Sequence, residues 1–416
     1  MRLKDLPLRV TALTAAGLLV LPGALLLLFP RRAASGLDRL LPYAALLQSF
    51  SAQPTKPPPA LWQQRLGVAQ ATRLWRDQRR FWWQFWGPHG DAGAYLVFAA
   101  SPTQPLPASG LRVDDLIVVA PSPLARQLLQ EQLKLRRRAP RGLDQRCSLN
   151  LLQREAVHWN GVAVAQMLGP LSPLALNVQQ GCLTLTSEGT ALLWQGEADS
   201  SVDALQAAPT PLPIPASAEA AASEALLELR GDRLELLLRG LLSTAMLRDA
   251  LAQRYGLGSE QVRRLQAAPF VLQLRAEGRG PYRAGLDLQV KLPGERQLWD
   301  RWLLDLSRAL EDQGLASAQP APGLTLWSRE DGAAVGGWRW LGGDQLLLFL
   351  GPSPNRGSTL TSGAGDRWQL VMRPSTLESN GLLPAGLPLV VKRSERLIIQ
   401  GQGGRQSALA GRLDLR

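Results

Sequence analysis

Val10 to Phe29 reads VTALTAAGLLVLPGALLLLF, twenty residues without a charge. At ~1.5 Å of rise per residue such a helix covers ~30 Å, the thickness of a bilayer core. The Pro22-Gly23 pair would kink a soluble helix but is tolerated in a membrane-spanning one. Pro30-Arg31-Arg32 follows the run, where a cleaved signal peptide would carry a small-x-small site. The sequence therefore predicts a transmembrane helix over 10–29, after a short segment 1–9. Arg2, Lys4 and Arg9 precede it, a slight bias toward an inside N-terminus. The expected location is a single-pass membrane protein with its body on the periplasmic or lumenal side.

Beyond a juxtamembrane spacer, 30–59, that ends in the stiff run QPTKPPP, the pattern is mixed α and β. Ala94–Ala100 and Leu116–Ala120 read as strands, Pro123–Arg138 as a helix, and Cys182–Trp194 as a β-hairpin. Pro209, Pro211, Pro213 and Pro215 alternate inside an Ala/Ser-rich tract, which keeps the chain extended and out of a sheet interior. We place a linker at 201–222, between a first domain over 60–200 and a second over 223–416. In the second, strands are expected at 225–230, 270–276, 285–292, 345–350, 368–372, 387–391 and 397–400. A helix is expected from Pro293 to Gly314. The fold class is α+β: the transmembrane helix, then two related, mostly antiparallel sheet-plus-helix domains.

The relation between the halves rests on short matches. Gly36-Leu-Asp-Arg-Leu-Leu41 resembles Arg230-Gly-Asp-Arg-Leu-Glu235, aligning Asp38 with Asp232. Leu116–Pro123 (LIVVAPSP) resembles Leu347–Pro354 (LLFLGPSP), and Leu174–Val178 resembles Leu387–Val391. The differing offsets imply an insertion early in the second copy, around 286–310, and a deletion later. One N-terminal span, a Pro-rich spacer and two α+β copies with these motifs resemble a group of cyanobacterial membrane-anchored proteins of unknown function. That resemblance implies a plasma or thylakoid membrane setting and transfers no catalytic residue.

Lys plus Arg exceeds Asp plus Glu by 46 to 34, a net charge of +12, and only five of the cations are lysines. No zinc-finger spacing, RNP-type strand or helix-turn-helix accompanies the charge, so no specific nucleic-acid partner is expected. The bilayer, and another membrane or envelope protein, are the expected partners. The densest basic and aromatic segment is 60–86, read as one amphipathic helix. Trp62, Arg65, Trp75, Arg76, Arg79, Arg80, Trp82, Trp83 and Trp86 are its candidates for a membrane interface. A core-facing aromatic helix explains the same residues equally well.

Catalytic signatures are lacking: there is no Gly-x-Ser-x-Gly elbow, Ser-x-x-Lys pair, His-Glu-x-x-His helix or Walker loop. Gly401, Gly403 and Gly404 read as a hairpin turn. His89 and Asp91 share a turn that offers the one envelope-enzyme alternative, while Asp114-Asp115 reads as a strand end. No metal or other cofactor is expected. Cys147 and Cys182, the two cysteines, either pair in an oxidising compartment or remain free thiols. Alternation puts Cys182 on the Thr184 and Thr186 side of its strand, predicting a thiol outside the deepest core. The leading reading is an anchored extracytoplasmic binding or scaffold protein; the alternatives are the envelope enzyme and an anionic-lipid or polyanion module using 60–86.

Overall fold

The computed structural model describes residues 35–88, 93–135, 141–169, 178–199, 209–216, 225–235, 237–238, 245–277, 283–294, 296–354, 360, 366–384, 387–403 and 406–415. The apolar run 10–29 lies outside them, as do His89, Asp91, Leu174 and Gly404. No helix among the described residues is long and apolar enough to cross a membrane.

In the first half the elements run α1 (Gly36–Leu40), β1 (Leu46–Ser51), α2 (Ala60–Leu66), α3 (Val68–Arg76), β2 (Phe81–Trp86), β3 (Tyr95–Ala99), β4 (Gly110–Val113), β5 (Leu116–Val119), α4 (Pro123–Leu135), α5 (Leu143–Gln153), β6 (Ala156–Trp159), α6 (Gly161–Leu168), β7 (Gln180–Glu188) and β8 (Ala191–Asp199). The second half runs β9 (Leu227–Gly231), α7 (Ala245–Tyr255), α8 (Ser259–Gln266), β10 (Phe270–Ala276), β11 (Ala284–Lys291), α9 (Arg296–Glu311), β12 (Ala316–Ala321), β13 (Leu324–Ser328), β14 (Ala334–Gly342), β15 (Gln345–Leu350), β16 (Arg367–Met372), α10 (Pro374–Ser379), α11 (Leu389–Lys392), β17 (Arg396–Gln402) and β18 (Gln406–Asp414).

All of these strands join one antiparallel sheet in the order β4-β5-β3-β2-β1-β6-β7-β8-β18-β17-β16-β9-β10-β11-β15-β14-β13-β12. The order is a repeat. From edge to centre the first half reads β4-β5-β3-β2-β1-β6-β7-β8, and the second reads β14-β15-β11-β10-β9-β16-β17-β18. The halves are not separate sheets, because β18 pairs along its length with β8, Gln406 opposite Asp199 through Asp414 opposite Ala191.

This topology corrects parts of the sequence reading. Leu116–Val119 and Leu347–Leu350 are true counterparts, β5 and β15. Asp38 and Asp232 are not, since α1 precedes β1 whereas Asp232 follows β9. The inserted elements are α9, β12 and β13, while β11, assigned to the insertion, is the counterpart of β3. The deletion removes the α4–α5 pair, which has no counterpart among the described residues between β15 and β16. Residues 387–391 form a loop and the start of α11, not a strand. Segment 60–86 is two helices and a strand. Gly67, at φ +75°, breaks the helix, and Phe81–Trp86 then alternates into the sheet beside β1 and β3.

Two faces follow from the two-residue period of the strands. In the first half, α1, α4 and α5 bury Leu40, Leu129 and Leu151 on Trp83, Tyr95 and Val97. On the opposite face α2 and α3 pack on Trp82, Leu96 and Phe98. In the second half α8 and α9 cover the equivalent of that opposite face over Phe270, Val290 and Leu346. On the face that α4 and α5 cover in the first half, the second half carries polar side chains: Glu228, Gln273 and Asp287 in one cross-strand row.

A matched pair of contacts marks the repeat. Trp159 of β6 lies opposite Gly181 of β7, and Trp368 of β16 lies opposite Gly401 of β17. In both, a Cβ on the glycine would run into the indole ring. Gly401→Val is therefore expected to cost about 1–3 kcal/mol through overpacking, measured as a lower urea midpoint with unchanged slope.

Candidate functional site: a cleft on the polar face

Among the described residues no helix lies over the polar face next to the seam between the halves. One row across the strands there reads Gln195 (β8), Ala410 (β18), Gln400 (β17), Gln369 (β16), Arg230 (β9) and Val271 (β10), each directly opposite the next. Residues opposite one another share a face at ~5 Å spacing. The row therefore presents amides on both sides of one alanine, with a guanidinium further along one side.

The Pro-rich tract uses the first part of this row. Gln195 Nε2 donates to the Leu212 carbonyl, and Gln400 Nε2 donates to the Pro213 carbonyl. An extended proline-rich chain makes no internal hydrogen bonds, so its carbonyls are free to accept. The tract placed in a linker between separate domains is thus strapped onto a continuous sheet. Pro215 is buried, while Pro211 and Ile214 are exposed.

Beside the strap the row opens into a cleft of about 280 Å³. Leu212 and Pro213 form its strap-side wall. Arg230, Gln369 and Val271 belong to the continuing row, and Leu360 and Arg367 complete the lining. Charges in the lining are offset. Arg230 is paired with Glu228, which also accepts from Gln273 Nε2 at 2.6 Å. Arg367 carries a second positive charge, and Asp232, whose Oδ2 accepts from the Arg367 backbone N–H at 3.2 Å, a negative one. The Gln369 side-chain amide hydrogen-bonds nothing among the described residues.

On the same face of the first half, α5 is fastened across three strands. His158, Cys182 and Glu197 stand opposite one another on β6, β7 and β8. Each meets one residue of α5. Asp144 Oδ1 lies 3.9 Å from His158 Nε2, and Cys147 forms a disulfide with Cys182. Arg146 grips Glu197 with two hydrogen bonds of 2.6 Å, from Nε and Nη2. Cys182 is 1% exposed, correcting the expectation that its thiol avoids the deep core: the helix laid over this face buries it.

His158 Nδ1 is buried without a hydrogen-bond partner among the described residues. Burial pulls its pKa from 6.5 to about 4, and burial also raises the Asp144 carboxyl. A histidine that takes its proton more readily unfolded than folded weakens the fold in acid. Its contribution is fully present above pH 6.5 and disappears as pH falls toward 4. The shift corresponds to about 3 kcal/mol. We expect His158→Leu to remove that part of the stability loss between pH 6.5 and 4, read as the difference between paired urea titrations.

The remaining residues singled out from the sequence are spread through the fold. Trp62, Trp75 and Trp82 form one aromatic cluster with Phe98, and Trp83 faces the other core. Trp75 donates its indole N–H to the Lys56 carbonyl at 2.9 Å, and Trp83 to the Leu151 carbonyl at 2.8 Å. Arg65 donates Nε and Nη2 to the Ala94 carbonyl at 3.0 and 2.9 Å, and burial lowers its pKa. Trp86 is half-buried, and Arg76, Arg79 and Arg80 are exposed. The interface candidates over 60–86 are therefore split between buried indoles and exposed arginines. Once Phe81–Trp86 enters the sheet, Trp82 and Trp83 alternate into two cores, and Arg76, Arg79 and Arg80 stay exposed together with Val68 and Asp77. Asp114 and Asp115 form the β4–β5 turn, pairing with Arg39 at 3.1 Å and with the Gly36 N–H at 2.8 Å. Among the described residues, no group of three or more His, Cys, Asp or Glu side chains gathers as a metal site.

The cleft itself escaped the sequence reading. Its signal was the isolated glutamines at 195, 369 and 400 within apolar strands, which only the sheet order aligns.

No family model matches the sequence, and no curated protein matches it. Solved structures of TP0453 are similar to part of the chain. Crystal form III is 11% identical with a TM-score of 0.29, covering 46% of this chain and 91% of that one. Crystal form I is 12% identical with a TM-score of 0.26, covering 46% and 75%. Likeness at this level carries no argument about function.

Proposed function

We propose that this is a single-pass, membrane-tethered protein whose body lies outside the cytoplasm and binds or scaffolds a partner. The observation that carries the reading is the Cys147–Cys182 cross-link, set in the core and spanning α5 to β7. Such bonds persist in oxidising compartments. The apolar run 10–29 supplies the tether. Binding is favoured over catalysis because three of the buried acids are held by arginines: Glu197 by Arg146, Asp287 by Arg275 and Glu228 by Arg230. A partner protein in the membrane or envelope suits this placement, as does the resemblance in layout to the cyanobacterial membrane-anchored group.

The test is to quench cells with acid, denature the protein and add a maleimide polymer. Without reductant we expect no gel shift, and with reductant two additions. Two additions without reductant would place the body in a reducing compartment and overturn the reading.

A further inference from the structure

We propose that the cleft beside the strap binds a short, extended, proline-rich peptide segment of a partner protein. This inference rests on the binding reading above and names its ligand class. The chain's own strap shows what the row recognises. Two of its glutamines already donate to carbonyls of an extended proline-rich segment. The row does not stop there: Gln369 and Arg230 continue it on the next two strands, on the same face. Gln369 keeps its amide donors unused among the described residues, inside the cleft lining. What lies past the strap is a second stretch of the same surface, offering the same chemistry.

The rest of the lining fits such a ligand. Proline-rich segments bind through aromatic and aliphatic surface plus donors to their carbonyls, and lose little entropy because they are already extended. Val271, Leu360 and the strap's Leu212 and Pro213 supply the apolar part. A volume of about 280 Å³ suits a few residues of chain and lies just below the usual range for ligand sites, ~300–1,000 Å³. Charge argues against phosphate or another anion: Arg230 is offset by Glu228, and Asp232 lines the cleft alongside Arg367. A carbonyl-rich, neutral ligand answers the donors without requiring net charge.

The probe is a fluorescein-labelled peptide copying residues 208–216, titrated against the detergent-solubilised full-length protein and read by anisotropy. Saturable binding is expected. Gln369→Leu should weaken it at least tenfold. That side chain is half-exposed and lacks side-chain hydrogen bonds among the described residues, so the melting temperature should not change. The same peptide with glycine for every proline should also bind at least tenfold more weakly, having lost its preset extension. Absence of saturable binding, equal binding by Gln369→Leu, or displacement of the peptide by millimolar inorganic phosphate would overturn the inference. The maleimide experiment reads compartment independently. A body shown to be oxidised yet indifferent to the peptide removes the ligand assignment and leaves the tethered-scaffold reading standing.

Discussion

Trp62→Ala is expected to destabilise the protein by about 3–5 kcal/mol, the range for emptying a large aromatic site. Trp62 is 0% exposed and packs its ring 5.1 Å from Trp75 and 5.0 Å from Phe98, so no water can replace what is removed. The cavity would open beneath α2, where the neighbouring rings are themselves held: Trp75 by the Lys56 carbonyl and Trp82 by stacking on Phe50 at 4.5 Å. Trp62 Nε1 has no acceptor among the described residues. A buried, unpaired N–H costs about 1–3 kcal/mol, so Trp62→Phe recovers that penalty while losing part of the ring. Chemical denaturation should therefore show Trp62→Phe much closer to the parent than to Trp62→Ala. A Trp62→Ala protein as stable as the parent would mean that 60–66 does not pack as described.

Removing the cross-link has an effect of similar size. Cys147 and Cys182 are separated by 35 residues. A loop of that length in the unfolded chain corresponds to about 4 kcal/mol on the chain-entropy account. The double replacement Cys147→Ala/Cys182→Ala should lose roughly that amount, since alanine fills the site poorly but leaves no polar group behind. The ion pair between Arg146 and Glu197 and the contact between His158 and Asp144 remain in this variant and keep α5 in register. We accordingly expect a lower denaturation midpoint with native circular dichroism. An unchanged midpoint would show that the cross-link does not constrain the fold.

Local patterns in the sequence located many strands and helices because one strand's alternation depends on its own residues. Leu116–Val119, Phe270–Ala276 and Gln345–Leu350 were all legible this way. The α+β class followed, as did the correspondence of β5 with β15. Segment 60–86 was misread because FWWQFW fits a helical stripe as well as a two-sided strand. Only pairing with β1 and β3 decides between them. The strap was seen as an extended tract but taken for a boundary between domains, because nothing local reveals that Gln195 and Gln400 sit two strands apart beneath it. The same holds for the row that fastens α5. His158, Cys182 and Glu197 belong to three strands, and their alignment exists only once those strands are in register.

The placement of β18 constrains how such a chain reaches its final form. β18 is the last strand in chain order, yet it lies between β8 and β17, in the middle of the sheet. Until Gln406–Asp414 has emerged, the first half ends in the unpaired backbone of Ala191–Asp199. The second half ends likewise at Arg396–Gln402. Unpaired strand edges of this kind recruit foreign strands. A chain made from its N-terminus therefore keeps the β8 edge open until β18 arrives, and the β17 edge from the time that strand has formed. Closure of both edges by a single late segment leaves the earlier intermediates open to edge-to-edge association.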